Sequence, residues 1–346
     1  MTVIILSGLY WGHPATGIEA IAIHMEKGLR YYQSGDYSAA LEEFRAATEI
    51  DPGYLKAWEN MGWSYWKMGK MDQTLEIWEN LKTIHPDRSM LLNRIAQVYT
   101  AKKDYEQALV TYEESLKVKP GQVEVLAAKC KVLSWAGRDK AAVMQCQEFL
   151  SAHHERDDIR QLLAQLQMSP TIADYPAAIN NWQRLIAKKP DELDYQMGLA
   201  KTYFRSESYQ QAYEIARRIL ELNSEHVPTI EILLNVLIQM KDYERAQSVV
   251  AALQTADPNH PDIATGRAQI HQGRALRFYQ QGDYPAALEE FLLAKALVPG
   301  LSGLLENIGW TYQRLDQIDK AVEVWEELLD DRSDDVNILN ALAEAY

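Results

Sequence analysis

The chain has 346 residues, 47% of them hydrophobic, with 35 Lys and Arg against 49 Asp and Glu and a formal net charge of −14. That balance argues against a nucleic-acid footprint built on clustered basic residues, and it favours solubility while repelling anionic surfaces. The two cysteines, Cys130 and Cys146, exclude a disulfide framework, and no apolar run is long enough for a complete membrane span.

The start, "MTVIILSGLYWG", is apolar but has neither a basic n-region nor a clear cleavage site. Residues 1–17 read as an apolar segment packed on the first helix, and the tail of a longer signal or anchor is the other reading. From residue 18 onward a period appears. "YYQSGDYSAALEEF" at 31–44 returns as "FYQQGDYPAALEEF" at 278–291, 247 residues later. Pro52, Pro86 and Pro120 are spaced by 34, with His154 in the next place, and Pro190, Ser224 and Pro258 form a second such series. Twelve residues before most of these stands a small residue: Ala40, Thr74, Ala108, Ala142, Ala178, Ala212, Ala246 or Ala287. Eight before them stands a large one, usually aromatic: Phe44, Trp78, Tyr112, Trp182, Phe291 or Trp325. Each unit reads as two amphipathic helices, apolar at i, i+3, i+4 and i+7, and proline stops the second. Phase places units near 21, 55, 89, 123, 159, 193, 227, 268 and 302, with a partial one from 336. "QMSPTIADYP" adds two residues and its Pro170 ends a short first helix, while "HPDIATGRAQIHQG" adds seven, enough for two extra turns.

This unit resembles the tetratricopeptide repeat. "AWENMGWSYWKMGKMDQTLEIWENLKTIHP" carries the pattern through Trp58, Met61, Gly62, Tyr65, Thr74, Trp78 and Pro86. The resemblance covers roughly residues 18–346. It implies an all-α fold, a right-handed α-solenoid of about nine and a half helix-turn-helix repeats, in which stacked neighbours bury what one pair cannot. Within it lies a duplication: residues 12–99 correspond to 259–346. His13-Pro14 aligns with His260-Pro261, Ile23-His24 with Ile270-His271, "ENMGW" with "ENIGW", and Tyr99 with Tyr346. Ile338, Leu339 and Leu342 need a cover, so a fragment of a longer protein or end-to-end self-association with another copy is expected, with a terminal frayed helix as the third reading.

The resemblance also implies that the first helix of each unit lines a concave groove. Cations such as Lys56, Arg94, Lys131 and Lys201 and anions such as Glu26, Glu59, Glu124 and Asp194 nearly balance along it. Leu29, Tyr32, Asn60, Trp63, Trp66 and Arg94 form one candidate partner-binding patch, and Leu276, Tyr279, Asn307, Trp310 and Arg314 a second. Trp and Tyr are frequent binding anchors because they bury much area at little rotamer cost. The competing reading is that Tyr32 and Trp63 pack between neighbouring first helices and were copied with the block. Family members that clamp a chaperone's terminal carboxylate use Lys, Asn, Asn, Lys and Arg. Here Met25, Leu29, Asn60, Met90 and Arg94 stand in those places, so only Asn60 and Arg94 match.

No catalytic arrangement emerges. His153-His154 reads as a solvated helix end, and His24 and His271 as packing residues. Cys130 and Cys146 read as small buried fillers. Glu42-Glu43 and Glu289-Glu290 read as the wet side of a helix. The expectation is a noncatalytic scaffold for proteins or peptide segments, without cofactor, metal or nucleic acid. Alternatives are the helical arm of a bacterial polysaccharide, envelope or secretion machine with a membrane-complex association, or the regulatory arm of an enzyme domain outside this segment. The compartment, cytoplasmic or periplasmic, stays open.

Overall fold

The structure, a computed structural model, describes residues 17–331 and 336–345. The apolar start, His13-Pro14 and Tyr346 lie outside the described residues. Among the described residues there are nineteen α-helices and no strand. None of these helices is long and apolar enough to cross a membrane.

The chain divides into two compact units, 1–159 and 160–346. In the first, α1 (Gly17–Ser34) packs on α2 (Tyr37–Ile50), α3 (Leu55–Lys67) on α4 (Met71–Ile84), α5 (Ser89–Ala101) on α6 (Tyr105–Val118), and α7 (Val123–Trp135) on α8 (Asp139–Ala152). The unit boundary falls within α9 (Asp157–Gln167), which is followed by α10 (Tyr175–Lys188). In the second unit α11 (Leu193–Arg205) packs on α12 (Tyr209–Leu222), α13 (Val227–Gln239) on α14 (Tyr243–Ala256), α15 (Asp262–Gln281) on α16 (Tyr284–Leu297), and α17 (Leu304–Arg314) on α18 (Ile318–Asp331). A last helix, α19 (Val336–Ala345), packs on α18.

Local chemistry explains the pairs. Asp36, Asp104, Asp174, Asp242 and Asp283 each accept a hydrogen bond from the backbone N–H three residues on, capping the second helix. The residue before each cap has positive φ, from Ala173 at 51° to Gly35 at 86°, which turns the chain sharply between the two helices. Phe44, Trp78, Phe291 and Trp325 are fully buried on the second helices. Each such ring removes well over 100 Å² from water, worth about 3 kcal/mol. α15 has 20 residues where α11 and α13 have 13. Its extra turns lie against α13, where a Cβ on Gly266 would come within 2.8 Å of Leu234.

Candidate functional site

Trp63 and Trp66 stand one turn apart on α3, and Trp78 rises from α4 beneath them. The Trp63 ring meets Trp78 edge-on with centroids 5.0 Å apart, and Trp66 stacks on Trp78 at 6.5 Å. Arg94 of α5 lies over the Trp63 face, its guanidinium carbon 5.1 Å from the ring centre. Glu59 holds it there: Arg94 Nη1 is 3.5 Å from one carboxylate oxygen, and Arg88 Nη1 donates to the other at 3.0 Å. The aromatic group is therefore ordered from below by a tryptophan and from the side by a cation, with Trp63, Trp66 and Asn60 only partly buried. Leu29 is exposed on α1, and Tyr32 meets Tyr37 edge-on at 5.3 Å.

The duplicated block repeats part of this geometry. Trp310 meets Trp325 at 5.0 Å, and Tyr279 meets Tyr284 at 5.3 Å. Leu276 is exposed, and Asn307 is partly buried. Arg314 is exposed, and the Tyr279 hydroxyl beside it raises the guanidinium above its usual range. Trp66 and Arg94 have Gln313 and Ala341 as counterparts, 247 residues on. The second patch thus lacks both the third ring and the cation over the tryptophan.

The structure corrects one reading of the acidic pairs. Glu42 and Glu289 are exposed, but Glu43 and Glu290 are partly buried beneath histidines. His24 Nδ1 lies 2.7 Å from Glu43, and His271 Nδ1 lies 2.6 Å from Glu290. Adjacent residues on a helix point about 100° apart, so one carboxylate of each pair turns toward the partner helix. His153 caps α8 with its ring 4.9 Å from Phe149, and His154 is solvent-exposed.

Two further groupings come from tertiary structure. A depression of about 440 Å³ opens between α9 and α11, lined by Gln161, Gln165, Asp194, Lys201 and Arg205 over Trp182 and Met197. The small residue of this repeat is Ala164, fully buried in one cluster with Trp182, whose ring seats against Gly198 of α11. Lys201 and Asp194 fall on the groove by repeat phase, but the extra residues after Gln167 obscure the phase of α9, and Gln161 and Gln165 carry no such signal. Glu231, His260 and Asp262 also come together, with ligand atoms within 4.8 Å of one another. His260 Nδ1 accepts the Asp262 N–H at 3.3 Å, so the ring proton sits on Nε2, which donates to Glu231 at 2.8 Å. A metal at Nε2 requires that proton on Nδ1, where a donor already points; the cluster is a hydrogen-bonded pin of α15 to α13.

Family models described as "TPR repeat" and "Tetratricopeptide repeat" match residues 28–69, 56–88, 91–122 and 305–334. One described as "Anaphase-promoting complex, cyclosome, subunit 3" matches 172–253. The anaphase-promoting complex subunit 3 of Schizosaccharomyces pombe is 24% identical over 140 residues, 40% of this chain and 21% of that protein. The Hsp70-Hsp90 organizing protein of Triticum aestivum is 24% identical over 255 residues, 70% of this chain and 42% of that protein. The chain spans less than half the length of both relatives. The crystal structure of the C-terminal part of a TPR repeat-containing protein from Cytophaga hutchinsonii superposes with a TM-score of 0.56 at 16% identity, covering 71% of this chain and 98% of that one. That likeness is one of fold.

Proposed function

The chain belongs to the tetratricopeptide-repeat family, and from that premise we propose that it is a noncatalytic scaffold whose first helices hold segments of other proteins. The observation that carries the reading is the Trp63–Arg94 pair. A partly buried ring, backed by Trp78 and covered at 5.1 Å by a guanidinium that Glu59 restrains, is an anchor ordered before any ligand arrives. Preordering of this kind lowers the entropy cost of binding. Asn60 and Trp66 extend the patch, and Trp310 with Tyr279 offers a second one, with no cation over its tryptophan. By their printed names, the wheat relative organises two other proteins and the yeast relative is a subunit of a complex, which favours protein partners here.

A terminal-carboxylate clamp is a poorer fit. Its cationic places are held by Met25 and Met90, and Arg94 is already engaged by Glu59 and Trp63. Among the described residues, no geometric feature favours the envelope-machine or enzyme-arm alternatives.

The test uses the whole chain. Affinity capture with mass spectrometry identifies a partner segment, and calorimetry then compares wild type with Trp63→Ala and Trp310→Ala. Trp63→Ala is expected to weaken binding by about 2 kcal/mol, roughly thirtyfold. Unchanged affinity in a variant of normal helicity removes the patch, and substrate turnover by the purified chain removes the noncatalytic reading.

A further inference from the structure

The depression between α9 and α11 has a floor and a rim of different chemistry. Its floor is apolar: Met168, Trp182 and Met197 are all buried there, beside Gly198. Its rim is cationic on one side, where Lys201 and Arg205 are exposed one turn apart on α11. Residues four apart on a helix are neighbours, and like charges there repel. Arg205 Nη1 donates to the Met168 carbonyl at 2.9 Å, which ties the guanidinium to the end of α9. One carbonyl uses one of its five N–H donors. Elsewhere the first helices neutralise such cations: Arg94 meets Glu59 of α3, and Lys131 of α7 meets Asp158 of α9 at 3.1 Å. α7 and α9 begin at Val123 and Asp157, and α11 and α13 begin with the same spacing, at Leu193 and Val227. The place that Asp158 takes opposite Lys131 is therefore held, opposite Lys201, by Pro228. Among the described residues no carboxylate pairs with Lys201 or Arg205. Asp194 stands two turns before Lys201, about 10 Å along the helix.

We propose that this depression is a binding site, separate from the tryptophan patches, for a peptide segment that carries an acidic side chain next to an apolar one. The inference rests on the reading that first helices hold segments of other proteins. A segment that runs on across neighbouring first helices brings its carboxylate as a side chain rather than as a chain end. The carboxylate lies between Lys201 and Arg205, relieves their mutual repulsion and accepts charge-assisted hydrogen bonds. The apolar neighbour lies on the two methionines, whose flexible thioethers adapt to varied side chains. Gln161 and Gln165 of α9 offer amides to the segment's backbone from the opposite rim. The lining carries two cations against the single anion Asp194, so it selects acidic segments although the chain as a whole is strongly acidic.

The experiment labels the full chain at its methionine methyl groups and follows them by NMR, with Met168→Leu and Met197→Leu to assign the two reporters. The probes are the acetylated, amidated peptide Gly-Ser-Leu-Glu-Leu-Ser-Gly and its counterpart with glutamine for glutamate. The glutamate peptide is expected to shift both methyl signals and to bind about tenfold more tightly than the glutamine peptide. Lys201→Gln and Arg205→Gln, at exposed positions, are each expected to remove most of that preference with helicity unchanged. Pro228→Asp is expected to remove it as well, because it gives Lys201 a carboxylate from the chain itself, in the first turn of α13 where an acid suits the helix. The proposal is overturned if neither methionine responds, if the two peptides bind equally, or if Arg205→Gln keeps the full preference. It is also overturned if binding requires a free C-terminus on the peptide. Shifts confined to Met90, which lies against Arg94, put the peptide on the tryptophan patch; they overturn this site and leave the scaffold reading standing.

Discussion

A Cβ placed on Gly62 would lie 1.9 Å from Nε1 of Trp78. No side chain can share that space, so α3 and α4 approach as closely as they do because position eight has none. Gly28 against Phe44 and Gly309 against Trp325 repeat the relationship, at 2.5 and 2.2 Å. The glycine lets the ring seat on the backbone of the neighbouring helix and bury fully.

Gly62→Ala is therefore expected to destabilise the first unit by about 2 kcal/mol through overpacking. This is expected although alanine is the better helix former by about 1 kcal/mol. Urea denaturation followed by tryptophan fluorescence checks it. Pairing Gly62→Ala with Trp78→Phe, which removes the crowding atom, should recover part of the loss. A single variant as stable as wild type would contradict the contact.

The two histidine pins should behave as independent copies. His24→Ala and His271→Ala each remove one hydrogen bond to a partly buried carboxylate, at a cost of about 1 kcal/mol. They lie in different units, so the costs should add in the double variant. Native-state hydrogen exchange reads this locally. His24→Ala should speed exchange in α1 and α2, and His271→Ala in α15 and α16. Accelerated exchange in both places from either single change would contradict the separation.

Asp158 gives a pH dependence. The Arg156 guanidinium, and after it Lys131, hold its carboxyl at about 2, well below the usual carboxylate range. A depressed pKa means that the ionised form is favoured by folding. Its contribution is complete above about pH 4 and is lost as pH falls through about 2. Asp158→Asn should melt below wild type at neutral pH, and the difference should close between about pH 4 and pH 2. A gap unchanged at pH 2 would assign the effect to the amide rather than to charge. The pair is partly solvated, so added salt should also narrow the gap.

The candidate patches illustrate how far residue spacing reaches. Position within the repeat puts Trp63 and Arg94 on successive first helices, but it does not say that the guanidinium covers the ring or that Glu59 restrains it. The same limit applies to "AALEEF": the motif identifies a helix, while the division of Glu42 from Glu43 into wet and pinned carboxylates depends on where His24 points. The depression over Trp182 was legible on one side only: Lys201 and Asp194 fall on the groove by phase, whereas the two added residues after Gln167 blur the phase of Gln161 and Gln165.

By itself the amino-acid order determined the helical class, the repeating pairs and the small-against-large complementarity at their contacts. Those features follow from periods of 3.6 and 34 residues and from steric size, which neighbours in sequence already encode. Only the tertiary structure decided which polar and aromatic side chains meet: Arg94 with Trp63, His260 with Glu231, Trp182 with Gly198. Each meeting depends on rotamers chosen jointly by two or three helices under close packing, and no local period carries that choice.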